Sequence, residues 1–139
     1  MINKKIMNQC CNEGFKNQEV YEAYKIFFGT LVSDSRLKII NLLRDNKKNV
    51  SEITKALNAD QTSISHDLSR LKKCGFVQVE VNKKFRYYKL NEKTIKPLMG
   101  LIDEHMSKNC IHILRAEKGA NNFTKESRNN INREIVSKK

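Results

Sequence analysis

Hydrophobic residues recur at helical spacing from the end of the first twenty residues onward. Val20, Tyr24, Phe27, Phe28 and Leu31 stand at i, i+4, i+7, i+8 and i+11, one face of a helix whose last turn Gly29 weakens. Ser33 suits the N-cap of a second helix. In it Leu37, Ile40 and Leu43 share a face, with Ile39 and Leu42 beside them, and the pattern fades at Asp45-Asn46. A short third helix is expected from Ser51, as its cap, to Leu57, with Ile53 and Leu57 as its core pair. After the three-residue turn Asn58-Ala59-Asp60, a fourth helix runs from about Gln61 to Cys74. Ile64, Leu68 and Leu71 form its buried stripe, and Gly75 ends it by accepting the left-handed conformation.

The period then changes to two. Val77, Val79 and Val81 alternate with Gln78 and Glu80, and Phe85 to Leu90 reads as a second strand across the turn Asn82-Lys83-Lys84. The family of residues that tolerates left-handed backbone makes Asn82 the expected left-handed position. A last helix is expected from near Thr94. Pro97 fits its first turn, where N–H groups lack internal acceptors, and Ile95, Leu98, Met99, Ile102 and Met106 give it an apolar face. Residues 1–17 are polar and irregular and read as a flexible N-terminal segment. Residues 18–113 carry the folded domain, and residues 114–139, basic and Asn-rich, read as a flexible tail.

Short helices joined by a tight turn and followed by a hairpin make a mainly α fold with a β-hairpin, the pattern of a helix-turn-helix with a wing. Charge sharpens this picture. The 139 residues, enough for one domain, hold 27 Lys and Arg against 15 Asp and Glu, a net charge of +12. Such a surplus favours polyanionic partners: DNA, RNA or an anionic membrane face. No apolar run approaches the roughly 18 residues of a membrane span, and the start of the chain has no apolar signal region. The expectation is therefore a cytoplasmic protein with no membrane partner. No Gly-rich phosphate loop, nucleophile elbow or His-Glu metal motif is present, which argues against an enzyme.

The fourth helix carries the chemistry. Away from its apolar stripe it opens with Gln61, Thr62, Ser63, Ser65 and His66 and continues with Arg70, Lys72 and Lys73. Short hydroxyl and amide side chains at a helix N-terminus approach base edges closely: Gln can bond bidentately to adenine, and Ser or Thr serves several edges. Arg70, Lys72 and Lys73 suit backbone phosphates, which position without reading sequence. Lys83, Lys84 and Arg86 crowd the hairpin tip and suit an adjacent minor groove or its phosphates.

Residues 30–106 or so resemble the ArsR/SmtB family of winged-helix repressors. The resemblance lies in Leu31-Val32-Ser33-Asp34-Ser35-Arg36-Leu37-Lys38-Ile39-Ile40, in Gln61-Thr62-Ser63-Ile64-Ser65-His66-Asp67-Leu68-Ser69-Arg70-Leu71, in Gly75-Phe76-Val77 and in Arg86-Tyr87-Tyr88-Lys89-Leu90. It implies a homodimer whose first and last helices pack together, with Gln61, Thr62, Ser63, Ser65 and His66 facing double-stranded operator DNA. It also implies repression relieved by an inducer. A family hairpin commonly carries a Gly at its tip, which this sequence lacks.

Metal sensing within that family calls for ligands that are mostly missing here. Its third-helix cysteine pair would fall at about Asn49 and Ser51, neither a thiol. Its last-helix site would fall near Glu92, Thr94, His105 and Lys108, where only Glu92 and His105 can ligate, too few for zinc. Four cysteines, Cys10, Cys11, Cys74 and Cys110, are expected as free thiols in a reducing compartment. Cys74, beside Gly75, reads as a small buried hydrophobe. If the first and last helices pack as the resemblance implies, Cys10, Cys11 and Cys110 converge, and three thiolates suit a soft ion such as As(III) or Sb(III). The alternatives stay open: a redox-switched thiol pair, a constitutive regulator whose cysteines are ordinary, or a winged-helix module for RNA or protein.

Overall fold

The computed structural model describes residues 3–119, without the side chains of Met7, Cys10 and Cys11. In chain order the elements are α1 (Lys4–Asn12), α2 (Asn17–Leu31), α3 (Asp34–Leu42), α4 (Val50–Leu57), α5 (Gln61–Lys73), β1 (Val77–Asn82), β2 (Phe85–Leu90) and α6 (Ile95–Lys108). Residues up to Lys96 form one compact unit and those from Pro97 another.

In the first unit, α3, α4 and α5 enclose the core with the base of the hairpin. Ile39, Ile40, Ile53, Ile64, Leu68, Leu71 and Phe76 are each at most 1% exposed. Burying side chains of this size stabilises by about 1.5–3 kcal/mol apiece, so this cluster is what orients α5. Leu37, expected on the same face as Ile40, is 43% exposed instead. The core lies on the Ile39–Ile40–Leu43 side of α3, and Leu37 falls at its margin.

Local chemistry explains the helix ends. Ser33 caps α3, its hydroxyl accepting from the Arg36 N–H. α4 is capped by Asn49 and not by Ser51. Asn49 Oδ1 accepts the Glu52 N–H at 2.8 Å while Glu52 Oε2 accepts the Asn49 N–H at 3.0 Å, a reciprocal capping box. Ser51 has no carboxylate three residues on. Its carbonyl accepts the Thr54 hydroxyl at 2.9 Å, inside the helix. Asn58, left-handed at φ 48° and ψ 50°, turns the chain from α4 to α5. Gly75, at φ 76°, ends α5. There Phe76 N–H bonds to the Leu71 carbonyl and Gly75 N–H to the Lys72 carbonyl, the paired bonds of a Schellman stop.

β1 and β2 pair antiparallel from Val77↔Leu90 to Asn82↔Phe85. A short extra pairing joins Lys48 to Tyr88, with N–H to carbonyl distances of 3.0 and 2.8 Å, and fastens the hairpin to the segment before α4. Because Asn82 is consumed as the last rung, the turn shrinks to Lys83-Lys84 and the left-handed residue is Lys83, at φ 57°, in place of Asn82.

The N-terminal segment read as flexible contains α1. Of its residues, Lys4, Lys5, Met7 and Gln9 are straight-chain helix formers. Asn3 Oδ1 accepts the Lys5 N–H at 2.8 Å at its start, and Ile6 lines an apolar cleft with α2 residues. α2 buries Val20 and Thr30 but leaves Tyr24 and Phe28 exposed, although both were expected on its buried face.

In the second unit, Met99 of α6 is 8% exposed while Leu101 and Met106 face solvent. Helix resumes at 110–119, so the segment expected to be a tail is helical for its first residues. The rest of that segment lies outside the described residues.

Candidate nucleic-acid interface

Asp60 sets the start of α5. Its Oδ2 accepts the Ser63 N–H at 3.0 Å and the Ser63 hydroxyl at 3.2 Å. The Ser63 hydroxyl hydrogen is thus used within the cap, which leaves its oxygen lone pairs as the free function. Gln61, Thr62, Ser65 and His66 are exposed and, with Ser69, line an open concavity on one side of α5. Ser69 was not among the residues singled out from sequence. Its signal was available, since it stands four residues after Ser65 and seven after Thr62, on the same helical face.

The opposite flank of α5 is structural. Asp67 is half-buried, takes the Ser35 hydroxyl at 2.6 Å and stands 3.5 Å from Arg36 Nη1. Arg70, expected to meet backbone phosphate, is exposed on a different side of α5 from Ser65. It lines a separate cleft with Ala23, Ile26 and Phe27 of α2. The helical angle between positions 65 and 70 turns its side chain toward that helix. Arg70, Lys72 and Lys73 occupy the last turn of α5, where cations complement the helix dipole.

On the hairpin, Lys83, Lys84 and Arg86 are exposed at and beside the tip. Nearer the base, Glu80 Oε2 lies 2.8 Å from Lys47 Nζ and Oε1 lies 2.7 Å from Lys89 Nζ. Hydrogen bonds from Lys47 and then Lys89, with the attraction of their charges, lower the Glu80 carboxyl from 4.5 to about 2. The same contact raises the Lys89 ammonium above its ordinary value. Lys47 Nζ also sits 5.5 Å from the centre of the Tyr87 ring, in cation–π range. Glu80 therefore occupies the basal lysines, whereas Lys83 and Lys84 make no ion pair among the described residues.

Cys110 is exposed, and the side chains of Cys10 and Cys11 lie outside the described residues. Cys74, expected to be a buried hydrophobe, is half-buried with Sγ 3.4 Å from the Thr30 hydroxyl, because its place at the end of α5 opens onto the cleft beside α2. His105 is exposed, its Nδ1 3.4 Å from Asn109 Nδ2. Among the described residues no three His, Cys, Asp or Glu side chains gather as a metal site.

Comparison with known proteins bears on the family and the fold. The family model described as bacterial regulatory protein, arsR family, matches residues 33–79. A helix-turn-helix-type transcriptional regulator of Methanocaldococcus jannaschii, itself uncharacterised, is 32% identical over 87 residues, 62% of this chain and 98% of that protein. The chain belongs to the ArsR family. As an ArsR-family member it is a DNA-binding transcriptional regulator and not an enzyme. It is also similar to the transcriptional activator HlyU of Vibrio cholerae, 25% identical over 77 residues, 55% of this chain and 71% of that protein. In fold it is similar to the homodimeric winged helix-turn-helix DNA-binding domain of a possible ArsR-family regulator from Mycobacterium bovis. The TM-score is 0.63 at 22% identity, covering 71% of this chain and 94% of that one.

The ArsR-family match spans α3, α4, α5 and the start of β1. The concavity of Gln61, Thr62, Ser65, His66 and Ser69 therefore lies within the matched segment, and the cations of the hairpin tip lie beyond it. No helix among the described residues is long and apolar enough to cross a membrane.

Proposed function

We propose that this ArsR-family regulator binds a specific operator as a homodimer and represses transcription until an inducer releases it. The observation that carries the reading is the concavity on α5, whose exposed wall is all short hydroxyl, amide and imidazole side chains. Gln61, Thr62, Ser65 and His66, with the Ser63 oxygen, offer donors and acceptors to base edges in the major groove. Arg70, Lys83, Lys84 and Arg86 supply phosphate contacts beside it. Support for a second copy comes from an exposed apolar face of α2: Tyr21, Tyr24 and Phe28, at i, i+3 and i+7, are 39–59% exposed, and a face of that kind marks an association surface. For the inducer, Cys10, Cys11 and Cys110 are the candidate ligands of a soft ion such as As(III), on the chemistry of thiolates alone.

The test is a fluorescence-anisotropy titration at fixed salt with the reduced protein. The duplexes are one from upstream of its own gene and a random one of equal length. Operator binding gives a preference of roughly a thousandfold or more, with half-sites about 34–36 Å apart. Equal affinities would sink the operator reading and favour a module for RNA or protein. Arsenite that releases the operator from the natural chain, but not from Cys110→Ser, supports the soft-ion inducer, and indifference to arsenite removes it.

A further inference from the structure

Between α2 and the end of α5 lies a cleft of about 400 Å³, a size common for small-molecule sites. Ala23, Ile26 and Phe27 form its apolar side, and Arg70, Lys73 and Cys74 its other side. No carboxylate lines it. Neither Arg70 nor Lys73 makes an ion pair among the described residues. An apolar wall faced by unpaired cations matches a ligand with a hydrocarbon body and an anionic head. The guanidinium fork offers such a head paired, charge-assisted hydrogen bonds.

The neighbouring cleft makes the charge selection plain. It uses the other side of the same α2 residues but is bordered by Glu13, Glu19 and Glu22. Glu19 is engaged by the Lys16 N–H and Glu22 by Lys25. That border repels an anionic head, so the two clefts differ in sign while sharing apolar residues.

We propose that the cleft between α2 and α5 binds a small amphiphilic carboxylate, its head held by Arg70 and Lys73 and its chain against Ala23, Ile26 and Phe27. The site is separate from the candidate thiol ligands Cys10, Cys11 and Cys110. Its occupant ties the end of α5 to α2 and withdraws Arg70 from phosphate. A ligand shifts an equilibrium only by its differential affinity for the two states, and here the difference is whether Arg70 meets carboxylate or DNA. That consequence rests on the function proposed above, whereas the binding itself does not.

Cys74, half-buried in the cleft, is the reporter. The full-length reduced protein is alkylated with iodoacetamide across a decanoate titration below its micelle concentration, and each cysteine is followed by peptide mass spectrometry. Decanoate slows Cys74 alkylation saturably and leaves exposed Cys110 unchanged, while decyltrimethylammonium, with the same tail and opposite charge, gives no protection. An Arg70→Gln/Lys73→Gln double variant needs roughly tenfold more decanoate, as expected for lost charge-assisted hydrogen bonds, and Lys83→Gln/Lys84→Gln, with the same charge change, does not. Absent protection, equal protection by the cation, an unaffected double variant, or a Cys74 that is unreactive in the free protein each overturns the proposal. Decanoate added to the operator complex then separates the two readings. Protection of Cys74 in a protein that prefers no duplex leaves the ligand site standing and removes the operator. Operator binding without protection does the reverse.

Discussion

Arg36 on α3 and Asp67 on α5 are joined across the first unit, Nη1 of the arginine 3.5 Å from Oδ1 of the aspartate. The same guanidinium reaches a third helix. Its Nε donates to the Thr30 carbonyl at 2.7 Å and its Nη2 to the Gly29 carbonyl at 3.3 Å, satisfying carbonyls at the end of α2. One side chain thus ties α2, α3 and α5 together. Replacing Arg36 by Ala takes the cation from Asp67, which keeps the Ser35 hydroxyl, and leaves helix-end carbonyls without a donor, and is expected to cost about 2 kcal/mol. Arg36→Lys is expected to recover little of that, because an ammonium cannot span the fork. Urea unfolding of both variants checks this, and a lysine variant as stable as the natural chain would show that charge alone matters.

Asn58 is the hinge of the helix-turn-helix, with its backbone at φ 48° and ψ 50°. Left-handed backbone costs a residue with a Cβ about 1–2 kcal/mol, less for Asn. Asn58→Ala should therefore lower stability by about 1 kcal/mol, while Asn58→Gly should leave it unchanged or raise it. Thermal unfolding distinguishes them. If Ala and Gly behave alike, the turn relaxes to a different conformation in solution.

Glu80 predicts a defined acid dependence. Its carboxyl falls from 4.5 to about 2 because Lys47 and Lys89 donate to it. A carboxyl lowered on folding stabilises the folded state when ionised. Its contribution is complete above 4.5 and is lost as pH falls toward 2. The stability gap between the natural chain and Glu80→Gln should be constant near neutrality and close over that interval. High salt should narrow it throughout, since the pairs are partly exposed. A gap independent of pH would mean that Glu80 acts by packing alone.

Much of this was readable from local pattern, and the exceptions share a cause. Ser33, Gly75 and the stripe Ile64, Leu68 and Leu71 act within a few residues of themselves, so spacing and residue type identify them. The Asn49 cap was also local, but Asn49 and Ser51 are both good cap types, and only the reciprocal pair Asn49 and Glu52 decides between them. Asp67 is different in kind. Its partners Arg36 and Ser35 lie more than thirty residues away, and no periodicity encodes that pairing. Arg70 is about 140° round α5 from Ser65 by helical count alone, and only the position of α2 shows what it faces there. Within the candidate interface, Ser69 needed only one more turn of the same helical face.

Lys83 carries opposing demands. Its φ of 57° is unfavourable for a lysine, yet its exposed ammonium at the hairpin tip suits a phosphate. Lys83→Gly should stabilise the fold by up to about 1 kcal/mol, since glycine accepts that backbone freely. It should also flatten the dependence of DNA affinity on salt by about one ion per subunit. Unfolding and salt titrations on the same variant check both. A stabilised variant with an unchanged salt slope would place the tip away from DNA.

The sharpest separation lies between reading and holding. Gln61 and Ser65 share the concavity on α5 and make no side-chain bond to the rest of the fold among the described residues. Neither stability nor net charge should change when either becomes Ala. If they meet base edges, each loss costs about 1–3 kcal/mol at the operator, and random duplex, held through phosphates, keeps its affinity. Lys84→Ala should do the opposite, weakening both duplexes together and reducing the salt slope. Anisotropy titrations of the three variants on both duplexes decide it. If Gln61→Ala lowered both affinities equally, that side chain would be serving phosphate, and base readout would have to pass to Thr62, His66 and Ser69.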